Sequence, residues 1–131
     1  MAKVSMTNLV TNVGVVGTDV TGVGTQRKSL AACEYGGDKG IFGYGTNTVT
    51  AVTNLVSNVG VVATDVSGVG SAREGPAACS YSYKTKGIFG YGYASGGETA
   101  VTNLVSNVGV VATDVTGVGT ARSMGAACEY N

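Results

Sequence analysis

The stretch Thr53–Val66, TNLVSNVGVVATDV, recurs unchanged at Thr102–Val115 and returns as TNLVTNVGVVGTDV at Thr7–Val20. Glycine and β-branched residues fall in every window long enough to make a helix, so helix is disfavoured. Alternation of apolar and polar residues points to strands instead. Extended, the stretch puts Val52, Asn54 and Val56 on one face and Thr53, Leu55 and Ser57 on the other. Both faces are then partly apolar, which suits a strand packed between two sheets. SNVG and TNVG read as turns, with Asn12, Asn58 and Asn107 inside them.

Working outward, the copies aligned on TNLV start at Thr7, Thr53 and Thr102, which are 46 and 49 residues apart. The chain, 1–131, is thus one repeat domain with copies at 7–52, 53–101 and 102–131, the last incomplete. A period of this size suits a four-stranded propeller blade. Four strands are expected in the first full cycle, at Ala31–Tyr35, Ile41–Tyr44, Val52–Val56 and Val61–Val66, with later copies matching. Variation is confined to YGGDK against YSYKTK and GTNTV against GYASGGET, which are read as loops. The expected fold is all-β, with antiparallel four-stranded blades and about three blade equivalents per chain.

Lys and Arg total 8, as do Asp and Glu, so no net field draws the chain to nucleic acid or to an acidic membrane. With 44% apolar residues and only 12% charged, it is too hydrophobic for disorder. No run approaches the ~18 apolar residues of a membrane span. MAKVSMTNLV lacks the apolar core of a secretory signal, so a cytoplasmic chain, or a virion component if viral, is expected. Without histidine there is no imidazole base, ordinary triad or His-supported zinc. GVGTAR is not followed by the Lys-Ser/Thr of a phosphate loop, and GIFGYG precedes no helix. No enzyme, cofactor or metal is expected. Cys33, Cys79 and Cys128 each sit in AAC, one repeat width apart, beyond the roughly 4.4–6.8 Å between Cα atoms that a disulfide needs. They are expected reduced and buried, as small apolar residues.

At the seam of the repeat the order is Arg, three residues, AAC-x-Tyr, a turn, then KGIFGYG. Here the chain resembles the kelch repeat of β-propellers, in which an Arg leads through a small-residue strand to an aromatic strand closed by paired glycines. GYG at Gly43–Gly45 and Gly90–Gly92 stands in the place of those glycines, and the last strand has no Trp. Near-identical Gly/Thr/Val-rich repeats also resemble the kelch-like repeats of structural and fibre proteins of tailed phages, notably those infecting cyanobacteria. The resemblance implies a propeller, or a propeller fragment completed by oligomerisation. It also implies a ring of Arg27, Arg73 and Arg122 at one mouth of the channel, able to grip carboxylates or phosphates. Set against that role, each Arg can pair with a carboxylate or carbonyl of the adjoining blade, with Asp19, Asp65 and Asp114 as the obvious partners.

Tyr83 and Tyr93, in the variable loops, are the candidates for a sugar-stacking surface. Three function classes follow. The first is a non-enzymatic structural protein, a virion component that self-assembles through β-blades with copies of itself or other virion proteins. The second is a lectin-like propeller that binds a glycan or peptide, and the third is an engineered repeat protein. Counting strands favours association, because the copies do not supply equal numbers of each strand and unpaired edges template pairing.

Overall fold

The computed structural model describes residues 2–130, and every described element is strand, turn or bend. The strands are β1 (Ala31–Tyr35), β2 (Lys39–Gly43), β3 (Thr53–Val56), β4 (Ala77–Tyr81), β5 (Lys86–Gly90), β6 (Tyr93–Ala94), β7 (Gly97–Glu98) and β8 (Thr102–Val105). They form two three-stranded antiparallel sheets, β1-β2-β3 and β4-β5-β8, plus the small β6-β7 hairpin. Registers repeat between the sheets: Cys33 faces Ile41 as Cys79 faces Ile88, and Phe42 faces Asn54 as Phe89 faces Asn103. The β6-β7 hairpin lies within GYASGGET, where the sequence places a variable loop. No helix among the described residues is long and apolar enough to cross a membrane.

β1 packs against β4 and β5, so the two sheets meet along β1. Glycine makes the close approach possible: a Cβ on Gly43 would lie 2.7 Å from Cζ of Phe89, a contact that real Cβ atoms do not show. The fully buried Phe89 ring fills that space and meets Tyr44 edge-on at 5.1 Å between centroids. Tyr35, Ile41, Ala51, Val105 and Val111 complete the core. Outside it, hydrogen bonds run between equivalent places of successive copies. Gly75 N donates to Ser29 O (2.8 Å), and Met124 N donates to Gly75 O (3.0 Å).

The stretch that opened the sequence reading is a hairpin. Ser57 N donates to Val61 O and Gly60 N to Ser57 O (both 2.9 Å), while Ser57 Oγ accepts from Val61 N (3.1 Å), so SNVG is a turn as expected. Its second arm, Val61–Val66, is not a continuous strand. It touches β3 only at Thr53↔Val66 and Val56↔Val62, which are three residues apart on one side and four on the other. One extra residue therefore bulges from the arm. Between the two bridges the Asn54 side chain donates to Ala63 O (3.2 Å), taking a place that a backbone ladder would need. The copies at Thr7–Val20 and Thr102–Val115 show the same pair of bridges and the same offset.

The cysteines are free, as expected, but only Cys33 and Cys79 are partly buried, and Cys128 is exposed. β1 and β4, which carry Cys33 and Cys79, are edge strands, whereas residues 126–130, expected as the matching strand, pair with no sheet and leave Cys128 uncovered. Burial raises the Cys33 thiol pKa to about 11. A thiol-alkylating reagent near neutral pH is expected to label Cys128 first and Cys33 last, because the thiolate is the reactive form. Mass spectrometry of partially labelled protein reads the order, and equal labelling would contradict the placement.

Candidate interaction surface

The repeated arginines, asparagines and aspartates meet at the joints between successive hairpins. In the first joint, the carboxylate of Asp65 receives Thr25 N at both oxygens (3.1 and 3.0 Å) and Thr25 Oγ1 at 2.6 Å. Asn54 Nδ2 donates to the same carboxylate at 2.8 Å. Arg27 Nη2 then donates to Asn54 Oδ1 (2.6 Å), and Arg27 Nε donates to Tyr44 O (2.9 Å). Gly24 is part of this geometry, with φ at +79° and a Cβ position that would run into Asp65 and Asn54. Only glycine fits such a place without strain.

The second joint repeats the first. Ser71 N reaches both oxygens of Asp114 at 3.1 Å, Ser71 Oγ one of them at 2.6 Å, and Asn103 Nδ2 donates to Asp114 at 2.9 Å. The Ser71 for Thr25 difference keeps the hydroxyl that the carboxylate uses. Arg73 departs in one respect: its guanidinium lies 4.0 Å over the Tyr44 ring, and its Nε and Asn103 Oδ1 have no hydrogen-bond partner. Arg73 Nη1 donates to Ser71 O at 3.1 Å.

Both carboxylates are held below the ordinary range. Hydrogen bonds from Thr25 and Asn54 outweigh burial at Asp65, and burial at Asp114 is outweighed by bonds from Ser71 and Asn103. A depressed folded-state pKa contributes stability that is fully present above the unfolded value and lost as pH falls through the folded one. Melting temperature is therefore expected to fall on acidification below about pH 4, the ordinary carboxylate pKa. Asp65→Asn with Asp114→Asn should flatten that acid limb, and an unchanged limb would show that these carboxylates do not carry it.

The arginines are accordingly part of the joints. Arg27 and Arg73 are 8% and 0% exposed, whereas Arg122 is exposed and stacks 3.6 Å over the Tyr91 ring. The carbonyls that Arg27 and Arg73 bond, Thr25 O and Tyr44 O for the one and Ser71 O for the other, lie in their own copies rather than in the adjoining one expected from the sequence. No ion pair joins an arginine to an aspartate among the described residues. Burial lowers the Arg27 pKa, partly offset by the charge of Asp65. Repetition also marks Asn54 and Asn103, as amides able to ladder between copies, but sequence reasoning missed their aspartate partners and the part of Gly24 and Gly70. The signal was there: in each copy an Asn precedes an Asp by eleven residues, and the Thr or Ser after GVG precedes the Arg by two.

Tyr83 and Tyr93 are exposed, but the structure does not bring them together. Tyr83 lies in the turn from β4 to β5 and Tyr93 beyond the far end of β5, with the whole strand between them. A groove of about 360 Å³ opens beside Arg27, lined by Met6, Asn8, Leu30, Phe42 and Asn54. Its guanidinium and the Asn54 amide are already bonded to each other. No group of three or more metal-ligating side chains occurs among the described residues. On the outside, Val13, Val59 and Val108 project from the three hairpin turns, 79%, 72% and 67% exposed. No protein-family model matches the chain, and no curated protein matches it.

Proposed function

We propose that the chain is a non-enzymatic structural protein, a repeat module that self-associates through its β-blades. The observation that carries this reading is the use of the repeated polar side chains. Arg27 and Arg73, the candidates for a ligand-gripping ring, are buried between copies, and Asp65 and Asp114 are occupied by the neighbouring copy's hydroxyl and amide. Chemistry repeated for function would face solvent; here it fastens one copy to the next.

The finer architecture belongs to the same proposal. A three-stranded sheet with an arm bridged at two points is the unit we read as a four-stranded kelch-like blade. About three such units per chain are completed by oligomerisation. The near-identical repeats support a virion setting, as a particle or fibre component beside other virion proteins. The exposure of Tyr83 and Tyr93 supports a second reading, glycan or peptide binding.

Native mass measurement across a dilution series, paired with a glycan array, tests the two. The structural reading expects concentration-dependent association and an empty array. Glycan binding abolished by Tyr83→Ala or Tyr93→Ala, with melting unchanged, would replace it with the lectin-like one.

A further inference from the structure

The joint is built from two unlike halves, and the outer copies present one unused half each. The donor half is Gly-Thr/Ser-x-Arg, which hands an N–H and a hydroxyl to the following copy at both joints and a guanidinium at the first. The acceptor half is the Asn-Asp pair of that copy. In the first hairpin Asn8 Nδ2 donates to Asp19 Oδ1 (2.9 Å) and to Gly17 O (3.1 Å), just as Asn54 holds Asp65 and Ala63 O. Asp19 is exposed, and no N–H or hydroxyl of a Gly-Thr segment reaches it.

At the other end, Gly119 keeps the φ of its equivalents, +81° against +79° and +77° at Gly24 and Gly70. Where those two meet an aspartate and an asparagine, Gly119 has only Tyr91 Oη at 3.9 Å. Arg122 Nη1 donates back to Thr120 O (3.1 Å), as Arg27 and Arg73 do to Thr25 O and Ser71 O, so the donor half is already shaped.

An apolar pair matches in the same direction. Leu9 packs over Gly60 of the next hairpin, and Leu55 over Gly109. Leu104 is 40% exposed with no such turn beneath it, and Gly14 has nothing within 4 Å of its Cβ position. Polar and apolar halves thus face the same way along the stack, which defines a head-to-tail contact rather than a two-fold one.

We propose that a second copy of this chain docks end to end, its Asn8–Asp19 hairpin seated on the Gly119–Arg122 segment and Leu104 of the first. The proposal rests on the structural reading above and names the surface through which self-association occurs. Thr120 N and Oγ1 donate to the incoming Asp19 carboxylate, Arg122 donates to Asn8 Oδ1, and Leu104 covers Gly14. Both joints inside the chain are the template for the carboxylate contacts, and the first, where Arg27 donates to Asn54 Oδ1, is the template for the arginine contact. Because the contact is heterologous, successive copies close into a ring where the rotation per chain closes and extend as an open series where it does not.

Complementary variants test it. Asp19→Ala removes the acceptor carboxylate, and Gly119→Val fills the donor groove; both positions are exposed. Unaltered circular dichroism at low concentration confirms that each variant folds. In native mass spectrometry the wild-type chain should give a ladder of oligomers. Each variant alone should lose roughly tenfold or more in association, the scale of hydrogen bonds to a charged group. Mixed together, the variants should form one-to-one dimers and stop, because one intact donor end and one intact acceptor end remain. Variants that associate as the wild type does would overturn the end-to-end joint while leaving self-association standing, with the exposed valine turns as the surface to test next. A folded wild-type chain that stays monomeric at every concentration would overturn both.

Discussion

Phe89→Ala is expected to cost about 3–5 kcal/mol, the range for deleting a fully buried phenylalanine ring. The ring has no exposed surface, rests on Gly43 and meets Tyr44 edge-on. Its removal empties the contact between the two sheets, and the flat Gly43 cannot fill the space from the other side. Phe42, at the same place in the preceding copy and in the same KGIFG strand, is only partly buried, so Phe42→Ala should cost clearly less. Urea unfolding followed by circular dichroism measures both. Equal losses would mean that the two sheets do not pack through Phe89.

Arg73→Ala carries the next largest effect, about 1.5–3 kcal/mol if its loss resembles that of a hydrogen bond to a charged group. The guanidinium is fully buried, bonds Ser71 O and covers the Tyr44 ring. The desolvated cation over an aromatic face is part of that loss, on the order of 2 kcal/mol. Arg122→Ala removes a chemically similar stack from an exposed place and should change melting little. If the arginines instead served a ligand, both substitutions would leave melting unchanged and remove only binding.

Local pattern was enough for part of this fold. Ala31–Tyr35 is β1 as the alternation implies, and the third expected strand, Val52–Val56, differs from β3 by one residue. The second, Ile41–Tyr44, lies two residues earlier at its start, because Lys39 and Gly40 pair with Tyr35 and Glu34 across a tight turn. The fourth failed for a reason that propensity does not carry. Val61–Val66 has the composition of a strand, but the Asn54 amide and the bulge interrupt its pairing with β3. Side-chain competition with a ladder is invisible to a reading by period alone.

The joint was half legible. Recurrence marked Arg27, Arg73 and the aspartates, and chemistry suggested that they bond to each other. The partners differ because they are set by contacts 40 and 43 residues apart in the chain, which bring Thr25 and Ser71 onto the carboxylates first. With those oxygens taken, the guanidinium turns to the Asn54 amide and the Tyr44 carbonyl at one joint, and to the Tyr44 ring at the other. The cysteines illustrate the opposite error. Their type argues for burial, yet Cys128 lies exposed, because burial depends on neighbours that a tripeptide does not specify.

The central claim is that the repeated polar residues fasten copy to copy, and amide hydrogen exchange resolved by NMR tests it most directly. In dilute protein the account predicts slow exchange at Thr25 N and Ser71 N, which donate to Asp65 and Asp114, and fast exchange at Thr120 N, which meets no carboxylate among the described residues. Asp65→Ala should release Thr25 alone, and Asp114→Ala should release Ser71 alone. Three amides that exchange at one rate, or that ignore the loss of their aspartates, would contradict it.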